Sequence, residues 1–160
     1  MAKKGLDLKR VEHVSVKQGI SADELVNAMG NSGVMGAGMI ARAASIVTDM
    51  LNDKECTVFL GAAGALVPGG MKNILIDILN TGRVKVFVTT GAMLTHDLVE
   101  VLGYSHYQGS AKVDDAELNK KGIDRMYDSY MHNEVYEGLE DFFIKHFDKL
   151  FDKRMSIREF

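Results

Sequence analysis

Residues 56–101 constrain this chain more than any other stretch. An apolar run, Thr57-Val58-Phe59-Leu60, stops at Gly61. A small-residue loop follows over 61–70, ending in Pro68-Gly69-Gly70, and a helical pattern occupies 71–80. A second run, Val84-Lys85-Val86-Phe87-Val88-Thr89-Thr90, stops at Gly91-Ala92, and a second helix is expected to open near Leu94. Two parallel strands that each leave through small residues into a helix make a crevice where nucleotides commonly bind. The expected fold is α/β, a Rossmann-like parallel sheet with flanking helices, present as a partial (half) domain.

The rest of the chain is read around that unit. Residues 1–20 form an N-terminal arm, polar and irregular over 1–19, and 21–160 form the domain proper. Ser21-Ala22-Asp23-Glu24 is a capping box that starts a helix carrying Leu25, Val26 and Ala28 and ending at Gly30. Ile40, Ala43, Ala44, Val47 and Leu51 have helical spacing. After Gly103, residues 104–110 read as irregular or as a short strand, and 114–121 as a short polar helix closed by Gly122. Residues 127–133 read as a loop. An amphipathic helix is expected over 134–151, with Leu139, Phe142, Phe143, Phe147, Leu150 and Phe151 on its apolar side. Ser156 and Glu159 have capping-box spacing. A helix start so close to the last residue reads as a chain that stops where a longer ancestor continued.

Composition removes several function classes. The formal charge of -3 gives no global basic field for nucleic acid. No apolar run reaches the ~20 residues that span a bilayer, and the N-terminal lysines have no apolar segment behind them. A single cysteine, Cys56, excludes an intrachain disulfide, so a cytoplasmic setting is expected. The five histidines, His13, His96, His106, His132 and His146, are too scattered to suggest a metal site. No nucleophile–base pair follows from local spacing, so no catalytic residue is assigned.

Two glycine-rich segments compete as phosphate loops. Gly33-Val34-Met35-Gly36-Ala37-Gly38 follows a helix rather than a strand, so the dinucleotide fingerprint lacks its context, and close packing or a sharp turn is the reading taken. The 61–70 loop has the right context but neither the P-loop lysine nor the Rossmann spacing. Its amides face a ligand, or it is a plain tight connection. His96-Asp97 is placed at the start of the second helix, where the terminus would lower a histidine pKa. Asp97 there reads as favouring the positive helix end. His106, between Tyr104 and Tyr107, reads as a packed surface histidine.

These pieces in order resemble the deoxyhypusine synthase family. The resemblance rests on Thr57-Val58-Phe59-Leu60-Gly61 with its loop, the run 84–92, and His96-Asp97-Leu98. Downstream it continues through Tyr107-Gln108-Gly109-Ser110, Glu117-Leu118, Lys121-Gly122-Ile123-Asp124-Arg125, Glu134-Val135-Tyr136 and Leu139-Glu140-Asp141-Phe142. The Thr-Thr-Gly-Ala, His-Asp and His-Tyr-Gln-Gly pieces look more archaeal and bacterial than animal.

The resemblance implies an enzyme that uses NAD to oxidise spermidine and passes the aminobutyl group through a lysine imine to an acceptor. That acceptor is a lysine of a translation factor, or a small diamine in the related homospermidine synthases. It also implies homotetramers with active sites between paired subunits. By matching position, Gly64, Ala65, Leu66, Val67 and Pro68, then Thr90, Gly91 and Ala92, would contact NAD. Thr95 and His96 fall where the family places acidic residues near NAD and spermidine, so His96 is expected at both.

Two departures qualify this. Gly64, Ala65 and Pro68 replace side chains that would hydrogen-bond the cofactor, at about 1 kcal/mol per neutral bond. The family's imine-forming lysine lies in a C-terminal Trp-Gly-Lys segment, and this chain has no tryptophan. The expectation is therefore the N-terminal part of such an enzyme, associating with itself or with a companion chain that carries the lysine, with neither nucleic acid nor membrane as a partner. The alternatives are a lysine-free, catalytically inactive homologue that binds NAD or a partner and regulates, or an unrelated Rossmann-like binding module.

Overall fold

The computed structural model describes residues 8–159. The chain divides into two units, one ending at Val58 and the other beginning at Phe59.

The first unit is a helical hairpin preceded by residues 8–20, without helix or strand and exposed up to Gly19. Residues 1–7 of the expected arm lie outside the described residues. Helix α1 (Ala22–Ser32) starts at the expected box, with Glu24 N–H donating to the Ser21 hydroxyl and the Ser21 N–H to the Glu24 carboxylate. It runs two residues past Gly30 and is closed by Gly33 at φ +71°, whose N–H reaches the Met29 carbonyl at 3.1 Å. Helix α2 (Met35–Asn52) begins almost at once. A Cβ on Gly38 would stand 2.7 Å from the Gly33 carbonyl oxygen. The glycines of this segment permit a sharp turn between packed helices, which is the packing reading.

From the unit boundary, which falls after the first residue of β1 (Val58–Ala62), the chain continues through that strand, the 3-10 turn Gly64–Leu66, α3 (Lys72–Asn80), β2 (Val84–Thr89) and α4 (Gly91–Val101). Strands β1 and β2 pair as a two-stranded sheet. They are parallel: the last residues of both meet where the Thr89 hydroxyl donates to the Ala62 carbonyl at 2.8 Å. Helix α4 starts at Gly91, three residues before the expected Leu94. Thr90 is extended and leads straight into it, so no further loop intervenes.

A second sheet follows that the sequence pattern did not show. Strands β3 (Tyr107–Gln108), β4 (Ile123–Met126) and β5 (Ser129–His132) form an antiparallel sheet in the order β3-β5-β4. Tyr107 lies opposite Tyr130, and Arg125 opposite the same Tyr130. Residues 127–133, expected as a loop, are therefore mostly strand β5. The hairpin turn uses Tyr127 at φ +56°, a position where glycine or asparagine is the usual signal. The short helix α5 (Asp115–Lys120) and the long α6 (Glu134–Leu150) match their expected places.

The core of this unit gathers Val99 from α4, Met131 from β5, and Val135 and Leu139 from α6, with Leu98, Leu102 and Tyr104 packed against them. Gly138 on α6 is where the Tyr104 ring lies, and a Cβ there would collide with the phenol. The core thus clamps α4 from the side away from its N-terminus. The architecture is a mixed α/β one, with helices and a small parallel sheet.

Candidate functional site

The two small-residue corners are in direct contact. Gly64, in the turn after β1, is buried, and a Cβ there would stand 2.6 Å from the Ala92 side chain, 3.0 Å from the Thr90 hydroxyl and 3.1 Å from the Met93 amide. Only hydrogen fits between the backbone of the first corner and the start of α4. The absence of a side chain at Gly64 is therefore what lets the corners touch.

Many loop amides are spent on the loop itself. Leu66 N–H donates to Ala63, Gly69 to Ala65, Gly70 to Val67 and Met71 to Leu66. The Pro68 carbonyl accepts from the Ser129 hydroxyl at 3.0 Å, tying the loop to β5. Val67 is buried, Leu66 half-buried and Ala65 exposed. At α4 the situation differs. Met93 N–H returns to the Thr90 carbonyl, but the Thr90 side chain makes no cap. Gly91 and Ala92 are exposed, and the first amides of a helix have no intrahelical partner. A Cβ on Gly91 would meet nothing within 4 Å, and the same holds at Gly61. The backbone at these corners is open to close approach.

Beside the loop lies a cleft of about 660 Å³. Ala65, Val67 and Gly70 form one wall, Glu100 and His106 another, and Tyr127 and Asp128 of the β4–β5 turn a third. The sequence reading missed Glu100, Tyr127 and Asp128.

A chain of polar contacts runs behind that wall. His96 Nδ1 lies 3.0 Å from His106 Nε2, and His106 Nδ1 lies 3.1 Å from Glu100 Oε1. Glu100 Oε2 lies 3.2 Å from Lys72 Nζ, which reaches Asp97 Oδ1 at 2.6 Å. Helical spacing gathers the α4 members, because His96 and Asp97 precede Glu100 by four and three residues. Lys72, at the start of α3, supplies the cation they need. Asp97 is thus an ion-pair partner for Lys72 rather than a residue placed for the helix terminus.

Three expectations about the histidines change accordingly. His96 lies in the second turn of α4, not at its start, and is buried at 8% exposure. Its pKa is pushed down by burial first and by the charge of His106 second, against an opposing pull from Glu100. His106 is no surface residue, since its side chain is only 7% exposed. Thr95 uses its hydroxyl within α4, donating to the Gly91 carbonyl at 3.1 Å. The Lys72 ammonium is held above its ordinary range, chiefly by Asp97.

Comparison with known proteins gives the family of the chain. The family model described as deoxyhypusine synthase matches residues 24–160. The chain belongs to the deoxyhypusine synthase family. It is 39% identical over 151 residues to the probable deoxyhypusine synthase of Methanothermobacter thermautotrophicus, covering 93% of this chain and 49% of that protein. It is 38% identical over 149 residues to the one from Methanosarcina thermophila, covering 93% and 47%. A deoxyhypusine synthase-like protein of Chlorobaculum tepidum is 45% identical over 103 residues, 64% of this chain and 29% of that protein. The chain spans about half the length of the first two deoxyhypusine synthase relatives. Among the described residues no cluster of ligating side chains could hold a metal ion, and no helix is long and apolar enough to cross a membrane.

Proposed function

We propose that this chain is the cofactor-binding part of a deoxyhypusine synthase-type transferase, in which NAD-dependent transfer moves the aminobutyl group of spermidine to an acceptor amine. The observation that carries the reading is the contact of Gly64 with Thr90, Ala92 and Met93, which joins two open corners at the carboxyl ends of parallel strands. In this reading β1–α3–β2–α4 is part of a Rossmann-like sheet. The residues fit NAD through backbone rather than side chain: Gly64 and Ala65 at the first corner, Thr90, Gly91 and Ala92 at the second. Leu66, Val67 and Pro68 shape the loop between them. NAD would supply the ring that accepts hydride from the amine. Thr95 and His96 stand one turn further along α4, on the side where spermidine is expected.

The imine-forming lysine is expected on another chain. Lys72 is the lysine beside the site, and it is fixed as an ammonium between two carboxylates. An amine must shed its proton to attack a carbon, and ion pairing opposes that. Apolar side chains left uncovered on both strands, Phe59 at 64% and Val88 at 58% exposure, support association with a companion or a second copy. The acceptor is a lysine of a translation factor or a small diamine. A cytoplasmic setting suits either.

The test mixes the purified chain with NAD and spermidine and follows NADH. The chain alone forms none, and addition of a companion chain carrying a Trp-Gly-Lys segment starts the reaction. NADH formation by the chain alone would overturn the shared-site reading. NAD binding without turnover in every combination would favour a regulatory, lysine-free homologue.

A further inference from the structure

We propose that His96 and His106 form a two-histidine proton relay whose charge comes to rest on His106, against Glu100 at the wall of the cleft. The inference follows from the contact geometry and does not depend on which cofactor or substrate the protein takes.

Glu100 faces Lys72 with one oxygen and His106 with the other, at 3.2 and 3.1 Å. A carboxylate paired with an ammonium is ionised and can only accept. His106 Nδ1 must therefore carry a hydrogen in every state, because a bare nitrogen lone pair would face the carboxylate. With His106 neutral, its Nε2 is an acceptor, and the hydrogen between the two rings belongs to His96 Nδ1. That leaves His96 Nε2 as the basic atom of the pair. The logic is that of a carboxylate fixing an imidazole tautomer, extended by one ring.

Protonation then has one consistent outcome. A protonated amine or hydronium that meets His96 gives its proton to Nε2, and an N–H bond forms there. The Nδ1–H bond of His96 breaks, and its proton forms the Nε2–H bond of His106. The donor is left as neutral amine or water, and no electrons change owner. His96 remains neutral, now hydrogenated at Nε2, because the Glu100 carboxylate faces His106 and holds the charge there. His106 becomes an imidazolium that donates to Glu100 on one side and to His96 on the other. The charged group in contact with this pair is Glu100 of α4, itself paired with Lys72 of α3, which also holds Asp97; Tyr107, Tyr127 and Asp128 line the same cleft as His106. The net effect is that proton uptake at a buried ring is read out as positive charge at the cleft wall.

Tautomer-sensitive nitrogen NMR of the full chain, with labelled histidine, tests the relay across pH. At high pH both rings are expected as Nδ1–H forms. On acidification His106 gains both N–H signals while His96 switches from Nδ1–H to Nε2–H. In Glu100→Gln the fixed tautomer of His106 is lost, and charging of the pair needs at least tenfold more acid. Glu100→Asp restores the wild-type pattern. Amide dispersion checks folding in each case. If Glu100→Gln fails to fold, His106→Asn serves instead, and His96 then titrates without a tautomer switch. The proposal is overturned if His106 is an Nε2–H form at high pH, if His96 acquires both hydrogens first, or if Glu100→Gln leaves the spectra unchanged.

Discussion

Thr89 closes the parallel sheet at one end by donating its hydroxyl to the Ala62 carbonyl at 2.8 Å. The two strands thereby finish level, and each chain direction turns away through small residues. What lies beyond is the meeting of Gly64 with Ala92. Local sequence places two corners, a side-chain hydrogen bond sets them level, and a missing Cβ lets them touch.

Gly64→Ala is expected to strain that contact. The new methyl would overlap the Ala92 side chain at 2.6 Å, with the Thr90 hydroxyl at 3.0 Å. Overpacking of this kind costs about 1–3 kcal/mol. Thermal unfolding measures the loss, and NAD titration measures whether the separated corners bind less well. An unchanged melting temperature would mean the corners are not tightly packed.

Met131→Ala tests whether the second sheet and α6 hold α4 in place. Met131 is 1% exposed and sits with Val99, Val135 and Leu139. Deleting most of a buried methionine costs about 2–5 kcal/mol. Denaturant unfolding should show a drop of that size with an unchanged slope.

Lys72→Met removes the cation shared by Asp97 and Glu100. The group is partly exposed at 26%, so solvent screens the pair, and a loss of about 1 kcal/mol is expected. The larger consequence is local: Glu100 loses one of its two partners and holds His106 less firmly. The difference between wild type and variant should shrink in high salt, since screening already weakens the pair. A salt-independent difference would point to packing of the lysine stem instead.

The depressed pKa of His96 gives stability a defined pH dependence. The unfolded chain binds a proton on this residue near the ordinary value of about 6.5, while the folded chain resists it because the ring is buried beside His106. Below that value the unfolded state holds more protons, so stability falls as pH falls, and this contribution is complete above it. His96→Asn should flatten that part of the profile in denaturant titrations at several pH values. A profile that keeps its slope would assign it to other groups.

The sequence made the β1–α3–β2–α4 order legible because both strands are rich in β-branched and aromatic residues and give way to small residues, although β1 runs through Gly61 to Ala62 rather than stopping at the glycine. The long α6 was equally plain from its apolar spacing. The β4–β5 hairpin was not. Its strands mix Asp124, Arg125 and Ser129 with apolar residues, and its turn bends at Tyr127, so neither alternation nor glycine marks it. In the site, the corners could be read locally, but their contact depends on a hydrogen bond across twenty-seven residues. His96 and Asp97 were read on the helix, but Glu100 one turn further on was missed. The links of Glu100 to His106 and Lys72 come from a loop and another helix, and no local pattern carries such pairings.

The most direct test of the proposed cofactor site uses Gly91, because a Cβ there would meet nothing within 4 Å beyond its own helix turn. Gly91→Leu should fold with an unchanged melting temperature while filling the space over the α4 amides. Calorimetric titration of NAD, with the companion chain present, is predicted to show saturable binding to the wild type and at least a tenfold loss in the variant. Equal NAD affinity in a folded Gly91→Leu protein would contradict the placement of the cofactor at these corners.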